Sequence, residues 1–455
     1  MADLGGYRHI HVVGVGGAGM SGLAKLLAQK GHSVSGSDLK PGRAFTSLAD
    51  LGVDCWHGHR PDRASKWDLV VASSAVPVTD PELKAAAEGG VPIWRRPELL
   101  DAVTSEMPAV GFAGTHGKTT STALGIAAAR AATGDPSFLV GGELIDLNTN
   151  AHLGSNDLFL LESDEAFGTF TSLHHRALLV TSVEADHLDH YSSVGALEEA
   201  FVAVASAVDG PVLACLDDPG ARRMGQVVGA ITYGTSPDAD WHIDRVEHGP
   251  WSSRFSLAGE GHQVEVQVPR PGMHVIRDAA GVVALLANVG VDAAAAAAGI
   301  KEFGGVRRRY EVRSRFGGVT VVDDYAHHPT EVAATIAAAR LGAHNRVWAV
   351  FQPHRFTRTS ELATEFGPAL AAADRVVVTD VYAAGETPVP GVTGKLVADA
   401  AIASGAAAVA YVPDRSEIAE LVATDLSEGD LILLLGAGDI SAVADELLEA
   451  MGGGS

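Results

Sequence analysis

The chain has 455 residues, with 33 Lys and Arg against 56 Asp and Glu, a net charge of −23. That length suits about three domains, each able to bury a core without disulfides, and the 47% hydrophobic and 20% charged fractions exclude a disordered chain. The charge argues against nucleic-acid and anionic-lipid partners, which need clustered cations; a small anionic ligand needs only one local patch or helix N-terminus.

Short apolar runs alternate with helical patterns along the chain. The predicted strands are 9–15, 68–72, 109–113, 158–161, 177–183, 319–323, 346–351, 375–379 and 431–435. Most are continuous apolar runs, as expected for strands covered on both faces. Predicted helices include 22–30, 119–133, 331–341 and 440–451. This βαβ alternation implies parallel sheets with helices on both sides. The segment 241–268 breaks the pattern, alternating polar and apolar residues around Gly259-Glu260-Gly261, and predicts an antiparallel hairpin. Domain boundaries are expected near 105–108 and 313–318. Cys55 and Cys215 read as unpaired packing residues in a reducing compartment. The N-terminal segment lacks the basic and apolar regions of a secretory signal. No apolar run approaches the roughly 18–20 residues of a membrane span. The cytoplasm is the default location.

Six segments carry chemistry. Gly14-Val15-Gly16-Gly17-Ala18-Gly19 follows a strand, opens a helix and matches GxGxxG, with Asp38 near the end of the next strand. Such a turn lets backbone amides approach a diphosphate; NAD, FAD or a nucleotide sugar would all use that physics. Gly114-Thr115-His116-Gly117-Lys118-Thr119-Thr120 holds the GKT core of a phosphate loop, although Phe112 stands where the strict pattern has Gly. In that reading Lys118 reaches the terminal phosphates and Thr119 meets Mg²⁺. Glu162-Ser163-Asp164-Glu165 and Glu184-Ala185-Asp186-His187-Leu188-Asp189-His190 each end a predicted strand, where ligands of open α/β sheets collect. Their hard oxygens suit Mg²⁺. Asp323–Glu331 contains the pair His327-His328 without a companion metal set, so structural zinc is disfavoured. In Phe351–Arg358, Arg355 and Arg358 could grip carboxylate or phosphate.

This set, in this order, resembles the Mur ligase family. The matching segments are HIHVVGVGGAGMSGLA, VSGSDLK, GTHGKTT, ESDE, VEADHLDHY, GVRRRYE, DDYAHHPTEV, FQPHRFTR and LLLGAGDI, which run from residue 9 to residue 440. DDYAHHPTEV and FQPHRFTR are the most specific to its alanine-adding members. The resemblance implies an α/β enzyme of three domains. Residues 1–106 would form a Rossmann-like parallel sheet that binds a UDP-sugar. Residues 107–314 would form a phosphate-loop ATP-binding domain with a small antiparallel sheet. Residues 315–455 would form a Rossmann-like domain that closes over the site and helps bind the amino acid.

The implied reaction is ATP-dependent joining of L-alanine to the lactyl carboxylate of UDP-N-acetylmuramate through an acyl phosphate, for peptidoglycan precursor synthesis. Alternatives are a peptide-adding ligase on the same sugar nucleotide and a non-catalytic nucleotide-binding regulator. The implied cofactors are ATP and two Mg²⁺ ions, and the implied assembly is a monomer or homodimer. By resemblance, Lys118, His187, His328 and Arg358 are catalytic. Gly114 through Thr120, His274, Arg309 and Asp324 surround ATP. Gly16, Gly17, Ala18, Gly19, Ser37, Asp38, Ser74 and Arg355 hold the UDP-sugar. Thr119, Glu162 and His187 ligate metal. The chain departs from the family pattern at Val275 and Asp278, where Asn is usual, at Ala166-Phe167, where Ser-Asp is usual, and at Ala326, where Gly is usual.

Overall fold

The computed structural model describes residues 4–40, 42–186 and 190–452. These form two compact units: Met1–Val246 with Phe255–Gln267 and Arg277–Gly304, and Glu247–Arg254 with Val268–Ile276 and Gly305–Ser455.

The first sheet contains β1 (His9–Val13), β2 (Ser33–Asp38), β3 (Asp54–His57), β4 (Leu69–Ala72) and β5 (Ile93–Arg95), in the order β3-β2-β1-β4-β5. Its neighbouring strands run parallel. The glycine loop leaves β1 at the point where strand order reverses, the usual ligand crevice of such a sheet. Sequence periodicity finds β1 and β4 but not β2, whose polar SVSGSD is nonetheless largely buried. Its polar side chains are satisfied by partners far away in sequence: Ser35 contacts His9 and His11, and Ser37 contacts Glu82.

The second sheet holds β6 (Ala109–Ala113), β7 (Ser137–Leu144), β8 (Thr149–His152), β9 (Phe159–Glu162), β10 (His175–Val180), β11 (Val212–Cys215), β12 (Ile231–Gly234), β13 (Trp241–His248), β14 (Ser253–Gly259) and β15 (His262–Val268). Its order is β15-β14-β13-β12-β11-β10-β6-β9-β7-β8. The expected hairpin is β14–β15, turning on Glu260 and Gly261 at φ 49° and 81°; β13 extends it into a three-strand run. Strands β6, β9 and β10 are adjacent and parallel, which brings three chemistry-bearing strand ends side by side. Phe112, the residue that spoils the strict phosphate-loop pattern, is a fully buried β6 residue. A Cβ on Gly125 of the following helix would sit 2.6 Å from its ring, so Phe112 serves helix–strand packing.

These two sheets share one apolar core. Leu23, Leu26 and Leu27 of the helix Ala18–Gln29 pack in the same cluster as Leu139, Ala151, Phe159 and Leu161. Gly22 makes the approach close: a Cβ there would lie 2.4 Å from Leu139. Across the same seam Lys25 Nζ donates to Asn150 Oδ1 (3.0 Å) and Thr149 Oγ1 (3.2 Å), while Asn150 Nδ2 donates to Ala18 O (2.6 Å).

The second unit contains β16 (Glu311–Phe316), β17 (Val319–Asp324), β18 (Val347–Phe351), β19 (Arg375–Val378), β20 (Val409–Tyr411) and β21 (Leu431–Leu435), ordered β16-β17-β21-β18-β19-β20. All neighbours are parallel except β16 and β17, which form a hairpin around Gly317 and Gly318 at φ 53° and 75°. Apolar clusters cover both sheet faces, which explains the uninterrupted LILLL of β21. Cys55 and Cys215 are both free thiols. Among the described residues no helix is long and apolar enough to cross a membrane.

Candidate active site

In the first unit, β6 ends at Ala113 and the chain turns through Gly114 at φ 131°. A side chain there would strike Thr181, at 2.1 Å from its Oγ1. The turn is tied to the end of β10: Thr115 N donates to Ser182 O (2.9 Å) and His116 N to Ser182 Oγ (2.9 Å). Gly117, left-handed at φ 81°, then caps the helix Lys118–Thr133. The residues 114–120 thus form a strand–turn–helix cradle with helix amides at its mouth, suited to phosphate.

Lys118 folds back over this turn. Its Nζ donates to Gly114 O (2.9 Å), Thr115 O (3.3 Å) and Glu165 Oε1 (2.8 Å), with Asp164 at 3.8 Å. Burial by itself pulls the Lys118 ammonium down, but Glu165, Asp164 and Glu162 outweigh it and hold the pKa above the ordinary lysine value. Glu165, only 1% exposed, is pushed up to about 7, chiefly by burial, with Lys118 pulling back. Thr119 Oγ1 donates to Glu162 Oε1 (3.0 Å), and Gly141 N holds the other oxygen of Glu162 (2.6 Å). Thr119 and Glu162, both expected to meet a metal, therefore stand together. His116 Nε2 lies 2.8 Å from Glu184 Oε2. Thr120 is half-buried in the first turn of the helix. His187 lies outside the described residues.

The glycine loop is organised differently. Gly14 N and Val15 N donate to Ser37 O (2.8 and 3.1 Å), and Gly16 N donates to Asp38 Oδ2 (2.9 Å). Asp38 thus pins the loop rather than standing apart from it, and Ser37 turns its hydroxyl inward to Glu82. Gly17 is the N-cap of the helix that Ala18 opens and Gly19 continues. Ser74 is exposed in the turn after β4. The sequence reading missed Arg96, whose guanidinium lies across the loop: a Cβ on Gly19 would be 3.2 Å from Arg96 Nε, a buried nitrogen without a hydrogen bond. An arginine in an unremarkable RRPELL segment offers no signal until the fold carries it to the loop. It also missed His175, which lies under Gly111 and contacts Ser163 Oγ at 2.8 Å. Burial lowers the His175 pKa to about 4, with His174 adding to the effect.

In the second unit the loops after β17 and β18, strands that flank β21, carry the remaining candidates. Asp324 accepts from Tyr310 N and Ala326 N, both at 2.8 Å. Burial raises its pKa to about 6, against the pull of Arg309. Arg309 stacks over the Tyr325 ring at 5.0 Å. His328, 2% exposed, is the N-cap of the helix Pro329–Ala339, its Nδ1 accepting from Thr330 N at 3.4 Å. Arg355 sits at φ 72° before the helix Phe356–Ala371 and donates Nε to Glu386 Oε1 (2.6 Å). Arg358 is buried in that helix's first turn. His274 stands at the start of the helix Met273–Asn288, close against Gly272. Of the departures from the family pattern, Val275, Asp278 and Ala326 are buried, and Asp278 faces the phosphate loop: a Cβ on Gly117 would lie 2.6 Å from its Oδ1.

A glycine loop, a phosphate loop flanked by carboxylates, and three successive α/β sheets define a class, and the chain belongs to the Mur ligase family. Residues 9–107 match the Mur ligase family catalytic domain, 112–286 the Mur ligase middle domain and 308–438 the Mur ligase glutamate ligase domain. Within that family the chain is 43% identical to the UDP-N-acetylmuramate–L-alanine ligase of Acidothermus cellulolyticus, over 97% of this chain and 94% of that protein. It is 40% identical to the ligase of the same name from Paenarthrobacter aurescens, over 100% and 99%. The crystal structure of UDP-N-acetylmuramate–alanine ligase from Thermotoga maritima superimposes with a TM-score of 0.83 at 27% identity, covering 98% of this chain and 99% of that one.

Proposed function

We propose that the chain joins the amino group of L-alanine to the lactyl carboxylate of UDP-N-acetylmuramate at the expense of ATP, releasing ADP and phosphate, in peptidoglycan precursor synthesis in the cytoplasm. It is an ATP-dependent carboxylate–amine ligase. The observation that carries the site assignment is Lys118, held on the carbonyls of its own phosphate loop and on Glu165, beside the Thr119–Glu162 pair.

The chemistry follows from the leaving group. A carboxylate cannot lose oxide to an attacking amine. Transfer of the γ-phosphoryl group to one carboxylate oxygen makes an acyl phosphate, the amine adds to its carbonyl carbon, and phosphate departs as the amide forms. Two anions must meet in the first step. The loop amides and the Lys118 ammonium, which its acidic neighbours keep charged, lower that repulsion. Thr119 and Glu162 offer a hydroxyl and a carboxylate oxygen side by side, which fits a hard cation. Mg²⁺ held there would supply positive charge to the phosphate oxygens, and His187 is the proposed ligand of a second ion. Gly16, Gly17, Ala18, Gly19 and Arg96 would receive the UDP diphosphate, on a loop whose shape Asp38 holds. Arg309 and Asp324 would serve ATP. His328, Arg355 and Arg358 would serve the carboxylate substrates.

An ADP-release assay with UDP-N-acetylmuramate and a panel of amino acids tests the reading. Turnover with alanine is expected. Absence of turnover with alanine, serine and glycine alike overturns it, and turnover with a tripeptide alone would make the chain a peptide-adding relative.

A further inference from the structure

A second cluster of donor groups lies behind the glycine loop, in the first sheet, and the proposed ligation does not use it. Asp80 and Glu82 are 6% and 0% exposed, and His59 reaches them from the surface. His59 Nδ1 is 3.4 Å from Asp80 Oδ2 and 3.9 Å from Glu82 Oε2, and the three donor atoms lie within 4.8 Å of one another. Tetrahedral zinc, with bonds of about 2.0–2.1 Å, sets its donors about 3.3 Å apart, so the cluster is close to a coordination sphere.

The outer groups hold these donors in place. Asp80 Oδ1 accepts from Glu82 N and Leu83 N at the start of the helix Pro81–Glu88, which leaves Oδ2 for His59. Glu82 Oε1 accepts from Trp56 Nε1 (3.1 Å) and Arg60 N (2.8 Å), and Oε2 accepts from Ser37 Oγ (2.5 Å). Carboxylates that ligate a metal are commonly held by hydrogen bonds of this kind.

An independent observation points to a missing partner. His11 is fully buried, stacked between Trp56 and Trp67 with ring centroids 5.0 and 4.0 Å away. Its Nδ1 is engaged by Ser35 Oγ at 3.0 Å. Its Nε2 has no hydrogen bond, although it is aimed at Glu82 Oε2 from 3.5 Å. With Nδ1–H given to Ser35, Nε2 turns a lone pair toward that carboxylate, and 3.5 Å is close to the spacing of neighbouring donors about one ion. Charge argues the same way: two buried carboxylates side by side need compensation.

We propose that His59, Asp80 and Glu82 form a binding site for a divalent transition metal of the zinc class, with His11 behind Glu82 and one coordination position open toward solvent. Mixed imidazole and carboxylate donors favour zinc or cobalt over magnesium. Because Ser37 bonds Glu82 through its hydroxyl and Gly14 and Val15 through its carbonyl, an occupied site braces the glycine loop from behind.

The test uses the full chain with excess Mg²⁺ to occupy the oxygen donors beside the phosphate loop. Zn²⁺ alone, and Co²⁺ alone, are titrated into wild type and His59→Ala. His59 is the exposed ligand, so this variant keeps the fold, as circular dichroism would confirm. Wild type is expected to bind one more equivalent of Zn²⁺ than the variant, or to bind it about tenfold to a hundredfold more tightly. It should also give a tetrahedral Co²⁺ spectrum that the variant lacks. Anomalous scattering at the zinc edge should place the ion among the three side chains. Equal stoichiometry and affinity in both proteins, or an ion located elsewhere, overturns the proposal, and loss of ligase activity would not by itself produce either result.

Discussion

The glycine loop after β1 and the phosphate loop after β6 are the same backbone device. Each ends a buried parallel strand, turns on glycine and opens a helix. They differ in where the charge sits. The first loop has no cation in its own turn, is pinned by Asp38 and receives Arg96 from across the sheet. The second carries Lys118 at its first helical position and meets Glu162, Asp164 and Glu165 from the neighbouring strand. The first is therefore suited to holding an anion that does not change, and the second to a phosphate whose charge is redistributed during reaction.

Removing the charge should break the second loop most. Lys118→Ala should lower ADP release by about three orders of magnitude or more, the scale of losing a preorganised stabiliser of developing charge; near-normal turnover would refute its role. Next in size is Gly117→Ala, which forces a left-handed φ of 81° on alanine and drives its Cβ toward Asp278. A loss of about a hundredfold in kcat/KM is expected, and an unchanged value would mean that the turn is not part of the site.

Acid should weaken the phosphate side through His175. Its folded pKa of about 4 lies below the ordinary 6.5, so the unfolded chain binds its proton first. The stability associated with neutral His175 is intact above about pH 6.5 and is lost as pH falls toward 4, by at most about 1.4 kcal/mol per pH unit. Denaturation of His175→Gln over that range should show a shallower acid slope than wild type. An identical slope would remove His175 from the account.

The glycine loop should give smaller, binding-limited effects. Gly16→Ala places a Cβ 2.9 Å from Asp38 Oδ2. It should raise the KM for the sugar nucleotide about tenfold, or about 1.4 kcal/mol, with kcat little changed. A fall in kcat alone would contradict the division of labour between the loops. Smallest of all, Asn150→Ala at the seam between the two sheets should cost about 1 kcal/mol in thermal stability by taking one hydrogen-bond partner each from Lys25 Nζ and Ala18 O.

Both loops were legible in the sequence because their signal is local: glycines, a lysine and a threonine at fixed spacing between an apolar strand and a helix. The apolar strands β6 and β21 were read to the residue, since burial on both faces leaves no polar positions to confuse the period. β2 was read only as a strand ending near Asp38 and not from its own periodicity, because its serines are buried only by virtue of bonds to His9, His11 and Glu82.

What the sequence by itself determined is the α/β class, the two phosphate-approaching turns, the acid-rich strand ends and membership of a ligase family. These depend on residues within one turn of each other, or on their order along the chain. Only the tertiary structure decided which distant groups share a site: Glu165 on Lys118, Glu162 between Thr119 and Gly141, Arg96 over Gly19, and His59 with Asp80 and Glu82. Strand order sets those encounters. Parallel pairing of β6 with β9 and β10 is a long-range choice that no local spacing records, and it determines which carboxylates face the lysine.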